Sequence, residues 1–230
     1  MKPNLLLLHG ALGSSQQLAE LKSLLSDNYS VHSINFEGHG GLPSSTEFSI
    51  DLFVKNTLDY LRENSIEQTS IFGYSMGGYV ALKLALEHPE KVEQICTLGT
   101  KFNWSKEAAE KEIKLLNPEI IEAKVPKFVA RLNTLHQPED WKNVVLKTAQ
   151  MMRDLANGKA LKTSDFSQIS HKVCIGIGTE DQMVSMEESQ EVALVLPNGK
   201  LEKLEGIPHP IDLIAAKILK QFIENQFQNY

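Results

Sequence analysis

The pattern of apolar and polar positions alternates between two kinds of segment. Asn4-Leu-Leu-Leu-Leu-His9 is a continuous apolar run closed by Gly10, as expected of a strand buried on both faces of a parallel sheet. Ser14 and Ser15 offer caps for a helix reaching about Leu25. A second strand is expected over residues 30–36, ending at the glycine-rich Glu37-Gly-His-Gly-Gly41. Leu52, Phe53, Asn56, Leu58, Tyr60 and Leu61 form a rough stripe that predicts a helix from about Ile50 to Glu63. Residues 70–74 then read as a short strand, 76–87 as a helix stopped by Pro89, and 94–99 as a further strand.

From about Lys101 to Phe166 this alternation stops and the pattern becomes that of amphipathic helices. It resumes with a strand over 172–178, a helix over 187–196, a strand over 200–204 and a last helix from Ile211 to about Gln226. Strands alternating with helices imply an α/β class: a doubly wound, mostly parallel sheet. The expected organisation is one domain over 1–230, with a core of 1–100 and 167–230 and a helical cap inserted at 101–166.

Composition narrows the function classes without naming one. The 230 residues are 42% hydrophobic and 23% charged, ordinary values for a globular domain. A formal charge of −6 with no basic run argues against a nucleic-acid partner, because phosphate contacts need clustered Lys and Arg. Leu5 to Leu8 is too short for a signal-peptide core or a membrane span, so a cytoplasmic protein without membrane insertion is expected. Cys96 and Cys174 lie in apolar strand-like runs and read as buried free thiols. No metal or organic cofactor is expected, since the seven histidines include no i, i+4 pair. The charged cluster Lys106-Glu-Ala-Ala-Glu-Lys-Glu112 reads as a solvated helix face.

The sharpest chemical signal is Gly73-Tyr-Ser75-Met-Gly77-Gly78 between a strand and a helix, the G-x-S-x-G pattern in the context it requires. A nucleophile on a tight strand-to-helix turn needs small neighbours, and the helix start places free N–H groups beside a developing oxyanion. A serine hydroxyl also needs a base, and the base needs a carboxylate to orient it. Asp181 follows the strand ending at Gly178, and His209, the only histidine after it, follows the last strand. Glu180 competes with Asp181 and Glu205 is a more distant third; the shorter side chain in a turn is preferred as the partner of an imidazole.

Through His9-Gly10-Ala11, the Ser75 pentapeptide, Gly178-x-x-Asp181 and His209, the whole chain resembles the α/β-hydrolase superfamily. That resemblance implies Ser75, Asp181 and His209 as the triad, with Ala11 and Met76 N–H groups as the oxyanion hole. It also implies structural rather than catalytic roles for His9 and His39. Relatives usually carry an antiparallel strand pair before the H-G strand; here the chain starts almost on that strand, so the sheet is expected to lack the pair. The insertion falls where the superfamily places a cap, and Phe102, Trp104, Phe128 and Trp141 are expected to line an apolar substrate pocket.

The resulting expectation is a serine hydrolase that takes a small-molecule carboxylic ester or thioester through an acyl-enzyme on Ser75. An alternative is a lyase or carbon–carbon bond hydrolase similar to the menaquinone-pathway synthase, suggested by His9-Gly-Ala-Leu-Gly13. Those relatives carry Arg four residues after the nucleophile, whereas this chain has Tyr79. A third reading is a non-catalytic ligand-binding module on a hydrolase scaffold.

Overall fold

The computed structural model describes residues 2–228. In chain order the first half comprises β1 (Asn4–Leu8), α1 (Ala19–Leu25), β2 (Ser30–Ser33), α2 (Ile50–Glu63), β3 (Thr69–Tyr74), α3 (Met76–Glu87) and β4 (Val92–Leu98). The helical insert follows as α4 (Lys106–Ile113), α5 (Pro118–Lys124), α6 (Pro126–His136), α7 (Trp141–Asp154) and α8 (Thr163–Phe166). The chain closes with β5 (Lys172–Glu180), α9 (Met186–Val195), β6 (Asn198–Pro208) and α10 (Ala216–Gln228). Among the described residues no helix is long and apolar enough to cross a membrane.

The six strands form one sheet in the order β2-β1-β3-β4-β5-β6, and every neighbouring pair is parallel. The four leucines of β1 explain how this sheet is covered. Leu6 and Leu8 point into an apolar layer with Phe53 and Val54 of α2, Val80 and Leu84 of α3 and Val192 of α9. Leu5 and Leu7 point into the opposite layer with Leu21 and Leu25 of α1 and Leu219, Phe222 and Ile223 of α10. Successive strand residues face opposite sides, so an unbroken apolar run needs helices on both. Each fully buried leucine contributes about 1.5–3 kcal/mol.

The chain enters at β1, steps outward to β2 and then crosses back to β3 on the other side of β1. Such a reversal opens a crevice at the carboxyl ends of the strands that flank it. Here those ends are Leu8 and Gly73, paired directly in the register, with Gly10 and Ser75 just beyond. The candidate chemistry therefore sits where the winding reverses.

Two strands differ from the sequence expectation, each for a local reason. β2 stops at Ser33, because the Phe36 N–H donates to the His9 imidazole (3.2 Å) and not to a neighbouring strand. β6 runs to Pro208, which pairs with Glu180 across an irregularity in the ladder. It is an edge strand whose polar residues face out, so its apolar signal covers only part of its length. Cys96 and Cys174 are both buried free thiols, and they face one another across β4 and β5.

The insert packs on the core through α7, whose Val144 and Met151, with Leu155 just beyond its end, join the layer that holds α2 and α3. Its own interior gathers Ile121, Leu132, Trp141 and Val145, and that group rests on Leu12 in the turn after β1.

Candidate active site

Ser75 joins β3 to α3 with φ 51° and ψ −117°. That backbone region costs a residue bearing Cβ on the order of 1–3 kcal/mol. Its N–H donates to Leu98 O (2.8 Å), and its own carbonyl accepts from the Gly78 N–H (3.0 Å) and the Thr100 hydroxyl (3.0 Å). The flanking glycines are a steric requirement. A Cβ at Gly73 would lie 2.4 Å from Gly78 Cα, and one at Gly77 would lie 2.4 Å from the Leu8 carbonyl oxygen.

Asp181 and His209 meet from the ends of β5 and β6. Asp181 Oδ2 lies 2.7 Å from His209 Nδ1, with side-chain exposures of 2% and 8% respectively. A carboxylate can only accept, so Nδ1 carries the hydrogen and Nε2 carries the ring's lone pair. The other carboxylate oxygen accepts the N–H groups of Met183 (2.8 Å) and Val184 (2.9 Å), which fixes the acid in its turn. Glu180 is exposed. The Tyr74 hydroxyl donates to the His209 carbonyl (2.9 Å), tying that residue to β3, and burial pushes that phenol well above its ordinary value. Gly99, at φ +61°, makes room for the pair: a Cβ there would lie 3.1 Å from Asp181 Oδ2 and 3.2 Å from His209 Nδ1.

Ser75, His209, Ala11 and Met76 border one cavity. Met76 opens α3, so its N–H has no acceptor within the helix. Ala11 occupies a turn closed by the Gly13 N–H on Gly10 O (3.2 Å), in which Leu12 adopts φ 57°. A residue of the insert grips this turn. His136 Nε2–H donates to Leu12 O (3.2 Å), while its Nδ1 accepts the Gly40 N–H (3.3 Å). Because a backbone N–H can only donate, that second bond fixes the tautomer.

His9 and His39 lie deeper. His9 Nδ1–H donates to Gly10 O (2.8 Å), and His39 Nδ1–H donates to Glu37 O (3.2 Å). The rings of His9 and His39 are 5.3 Å apart, and those of His39 and His136 are 5.5 Å apart. Burial pushes His9 down to about 4 and His39 well below its ordinary value, each lowered further by neighbouring imidazoles. Neither borders the cavity.

Of the four side chains expected to line the pocket, Trp104 does so. The other three are corrected. Phe102 packs edge-on against Phe166 and faces a separate groove beside Glu188 and Val192. Phe128 is 37% exposed on α6. Trp141 is turned into the interior of the insert, where it packs with Leu132 and Val145 over Leu12. Aromatic type alone does not tell which way a helix faces. Ile50, Met151, Met152, Leu155 and Met183 line the cavity instead, and Tyr79 borders it while its hydroxyl accepts the Leu161 N–H (2.7 Å).

Sequence reasoning missed two charged residues in this lining, Lys101 and Glu112. Glu112 ends the cluster expected to be solvated, yet it is 4% exposed, and that expectation is corrected. The signal was present: Ala109, Glu112 and Ile113 fall at i, i+3 and i+4, the buried face of α4. Among the described residues no three His, Cys, Asp or Glu side chains converge in a way that could hold a metal ion.

The comparisons with known proteins agree with this geometry at the level of fold. A family model for the α/β hydrolase fold matches residues 3–119, about half of the chain. A pimeloyl-[acyl-carrier protein] methyl ester esterase of Aliivibrio fischeri (strain ATCC 700601 / ES114) is 26% identical over 226 aligned residues, covering 90% of this chain and 86% of that protein. Among solved structures, NosK from Streptomyces actuosus aligns with a TM-score of 0.80 at 17% identity over 100% of this chain and 99% of its own. The enol-lactonase from Burkholderia xenovorans LB400 aligns with a TM-score of 0.78 at 15% identity over 99% and 92%. At such identities these two likenesses speak for the fold alone. With its reversal crevice, its strained serine turn and this sequence match, the chain belongs to the α/β hydrolase fold family.

Proposed function

We propose that this protein is a serine esterase that cleaves a small or medium carboxylic ester or thioester. The carrying observation is the buried Asp181–His209 pair at 2.7 Å, bordering one cavity with Ser75 on its strained turn and with Ala11 and Met76. Ser75 Oγ attacks the substrate carbonyl carbon and passes its proton to His209 Nε2. The resulting oxyanion takes the N–H groups of Ala11 and Met76. Collapse expels the alcohol or thiol, which leaves with the proton from His209. Water then attacks the acyl-enzyme, again losing a proton to His209, and the acid departs as Ser75 regains its hydrogen. The helical insert acts as a cap that keeps water from the cavity.

The esterase name of the Aliivibrio relative supports the reaction class, and a methyl ester carried on an acyl-carrier protein is one member of the substrate panel. The lyase-like alternative needs a cation at position 79, where Tyr79 instead accepts a backbone N–H. Arg131 pairs with Asp212, and Arg153 contacts Gln150, so neither borders the cavity.

The test is labelling with a fluorophosphonate together with turnover of neutral esters and thioesters. Wild type is expected to label and turn over. Ser75→Ala is expected to do neither while keeping its far-UV circular dichroism, since removing one hydroxyl leaves little cavity. Undiminished turnover in Ser75→Ala sinks the reading, and saturable ester binding without turnover favours the binding-module alternative.

A further inference from the structure

Away from Ser75 and His209, the cavity is walled mainly by apolar side chains, broken where Lys101 and Glu112 face each other. Both are withdrawn from solvent, with side-chain exposures of 14% and 4%. Their charged atoms stand 3.5 Å apart, longer than the roughly 2.7–2.9 Å of a charge-assisted hydrogen bond. Lys101 Nζ spends one hydrogen on Met183 O (3.0 Å) and lies 4.0 Å from Glu188. Glu188 is already satisfied by the N–H groups of Phe102 (2.9 Å), Asn103 (2.6 Å) and Ser185 (2.8 Å). The Glu112 carboxylate takes no such backbone N–H among the described residues, and Lys101, at 3.5 Å, is its one cationic neighbour within 4.0 Å. A buried carboxylate left so is costly. In the same lining Trp104 carries a buried indole N–H that has no acceptor among the described residues.

We infer that the Lys101–Glu112 pair receives an uncharged hydroxyl of the substrate, so that hydroxylated esters are the preferred class at this site. A hydroxyl both donates and accepts. Its oxygen can stand about 2.8 Å from each partner, accepting from Lys101 and donating to Glu112 across the gap. Charge excludes the two obvious rivals. A carboxylate could accept from Lys101 but would be pressed against Glu112 with Glu188 close behind, and an ammonium would meet Lys101 itself. The hydroxyl could belong to the acyl chain or to the alcohol, since either half of an ester can reach past Ser75.

This inference rests on the esterase reading, and its experiment keeps the two separable. The measurement is kcat/KM for matched esters whose chain ends in methyl, hydroxyl, amine or carboxylate, placed on the acyl side in one series and on the alcohol side in another. Wild type is expected to favour the hydroxyl member of one series over its methyl counterpart by about tenfold or more, the worth of a hydrogen bond to a charged group. The amine and carboxylate members are expected to fall below the hydroxyl one. In the double variant Lys101→Met/Glu112→Leu, which leaves no lone buried charge, that ratio is expected to drop to within about twofold of unity. If the pair serves only to hold the Met183 turn, both esters lose rate together and the ratio survives, which overturns the inference. A wild type that shows no preference, or that prefers the amine or the carboxylate, overturns it as well. Calorimetric binding of the same esters to Ser75→Ala reads the hydroxyl preference without turnover, so the subsite is judged even where ester cleavage itself fails.

Discussion

The buried imidazoles beneath the Ala11–Leu12 turn make acid stability a quantitative test of the architecture. His9 is 1% exposed and is pushed down to about 4 from an ordinary 6.5, first by burial and then by the neighbouring His136, against the opposing bond to Gly10 O. The folded protein therefore holds His9 neutral while the unfolded chain takes up a proton as the pH drops below 6.5. The stability contributed by the neutral form is complete above 6.5 and is lost progressively between 6.5 and about 4, below which this group costs nothing further. A displacement of about 2.5 pH units corresponds to about 3 kcal/mol, with a limiting slope of about 1.4 kcal/mol per pH unit. His39 is lowered in the same direction, so the wild-type slope in this window exceeds one proton. The assay is urea unfolding at constant ionic strength at pH 7.5, 6.5, 5.5 and 4.5, on wild type and on His9→Gln. The amide can still donate and accept but does not titrate. His9→Gln is expected to be less stable at pH 7.5, because the ring contacts with Phe36 and His39 are lost. It is also expected to lose stability more shallowly between 6.5 and 4.5, by up to about one proton. Parallel slopes in the two proteins, or a wild type that gains stability on acidification through this window, would refute the reasoning.

Two further predictions concern the groups around Ser75. Asp181→Asn is expected to lower kcat on the order of 10⁴-fold with little change in KM, because the amide can donate and so favours the wrong imidazole tautomer; Glu180→Gln, at an exposed carboxylate, is expected to stay within about twofold of wild type. A steady-state comparison of the two variants checks this, and a crippled Glu180→Gln beside an active Asp181→Asn reverses the assignment of the acid. His136→Ala is expected to lower kcat about tenfold by freeing the Leu12 turn and to cost roughly 2–4 kcal/mol in urea unfolding, since it leaves Leu12 O and the Gly40 N–H unpaired inside the protein. His136→Gln, which can make both bonds, is expected to recover part of kcat, and no recovery argues for a purely structural role.

What could be read in the sequence divides along a physical line. α2 runs from Ile50 to Glu63 as its stripe implies, because the pattern is long and Ser49 caps it with a bond from the Leu52 N–H (3.0 Å). The serine turn was legible because its demands are local, with strand, small residues and helix all within a few positions. The pairing of Asp181 with His209 was legible by chain order and by their places after strands, with side-chain length favouring Asp181 over Glu180, while the contact to the imidazole and the exposure of Glu180 depend on the whole fold. The pocket was the least legible part. Trp104 lines it from the irregular segment before α4, whereas Trp141 is turned away by how α7 sits against the rest of the insert, and neither a loop path nor a helix rotation is carried by the sequence of a single segment. Glu112 was hidden for a related reason: a run rich in Lys and Glu looks solvated as a whole, whereas Ala109 and Glu112 within it, with Ile113 next to it, form the inner face.

The insert reaches the two halves of the candidate chemistry by separate routes. On one side α6 supplies His136, which holds Leu12 O and so fixes the turn that presents Ala11. Leu12 also packs under Trp141, Leu132 and Val145, so its strained φ of 57° is held by packing as well as by the hydrogen bond. On the other side α4 supplies Glu112, which faces Lys101; Lys101 holds Met183 O, and the Met183 N–H holds Asp181. The strand ends of the sheet place Ser75, Asp181 and His209, but the turns that hold the Ala11 N–H and Asp181 are each tied to a helix of the insert. A shift of α6 is therefore felt first at Ala11, and a shift of α4 first at Asp181. The two routes share no residue, so perturbations of His136 and of Glu112 should combine additively in ΔG‡ unless the insert moves as one body.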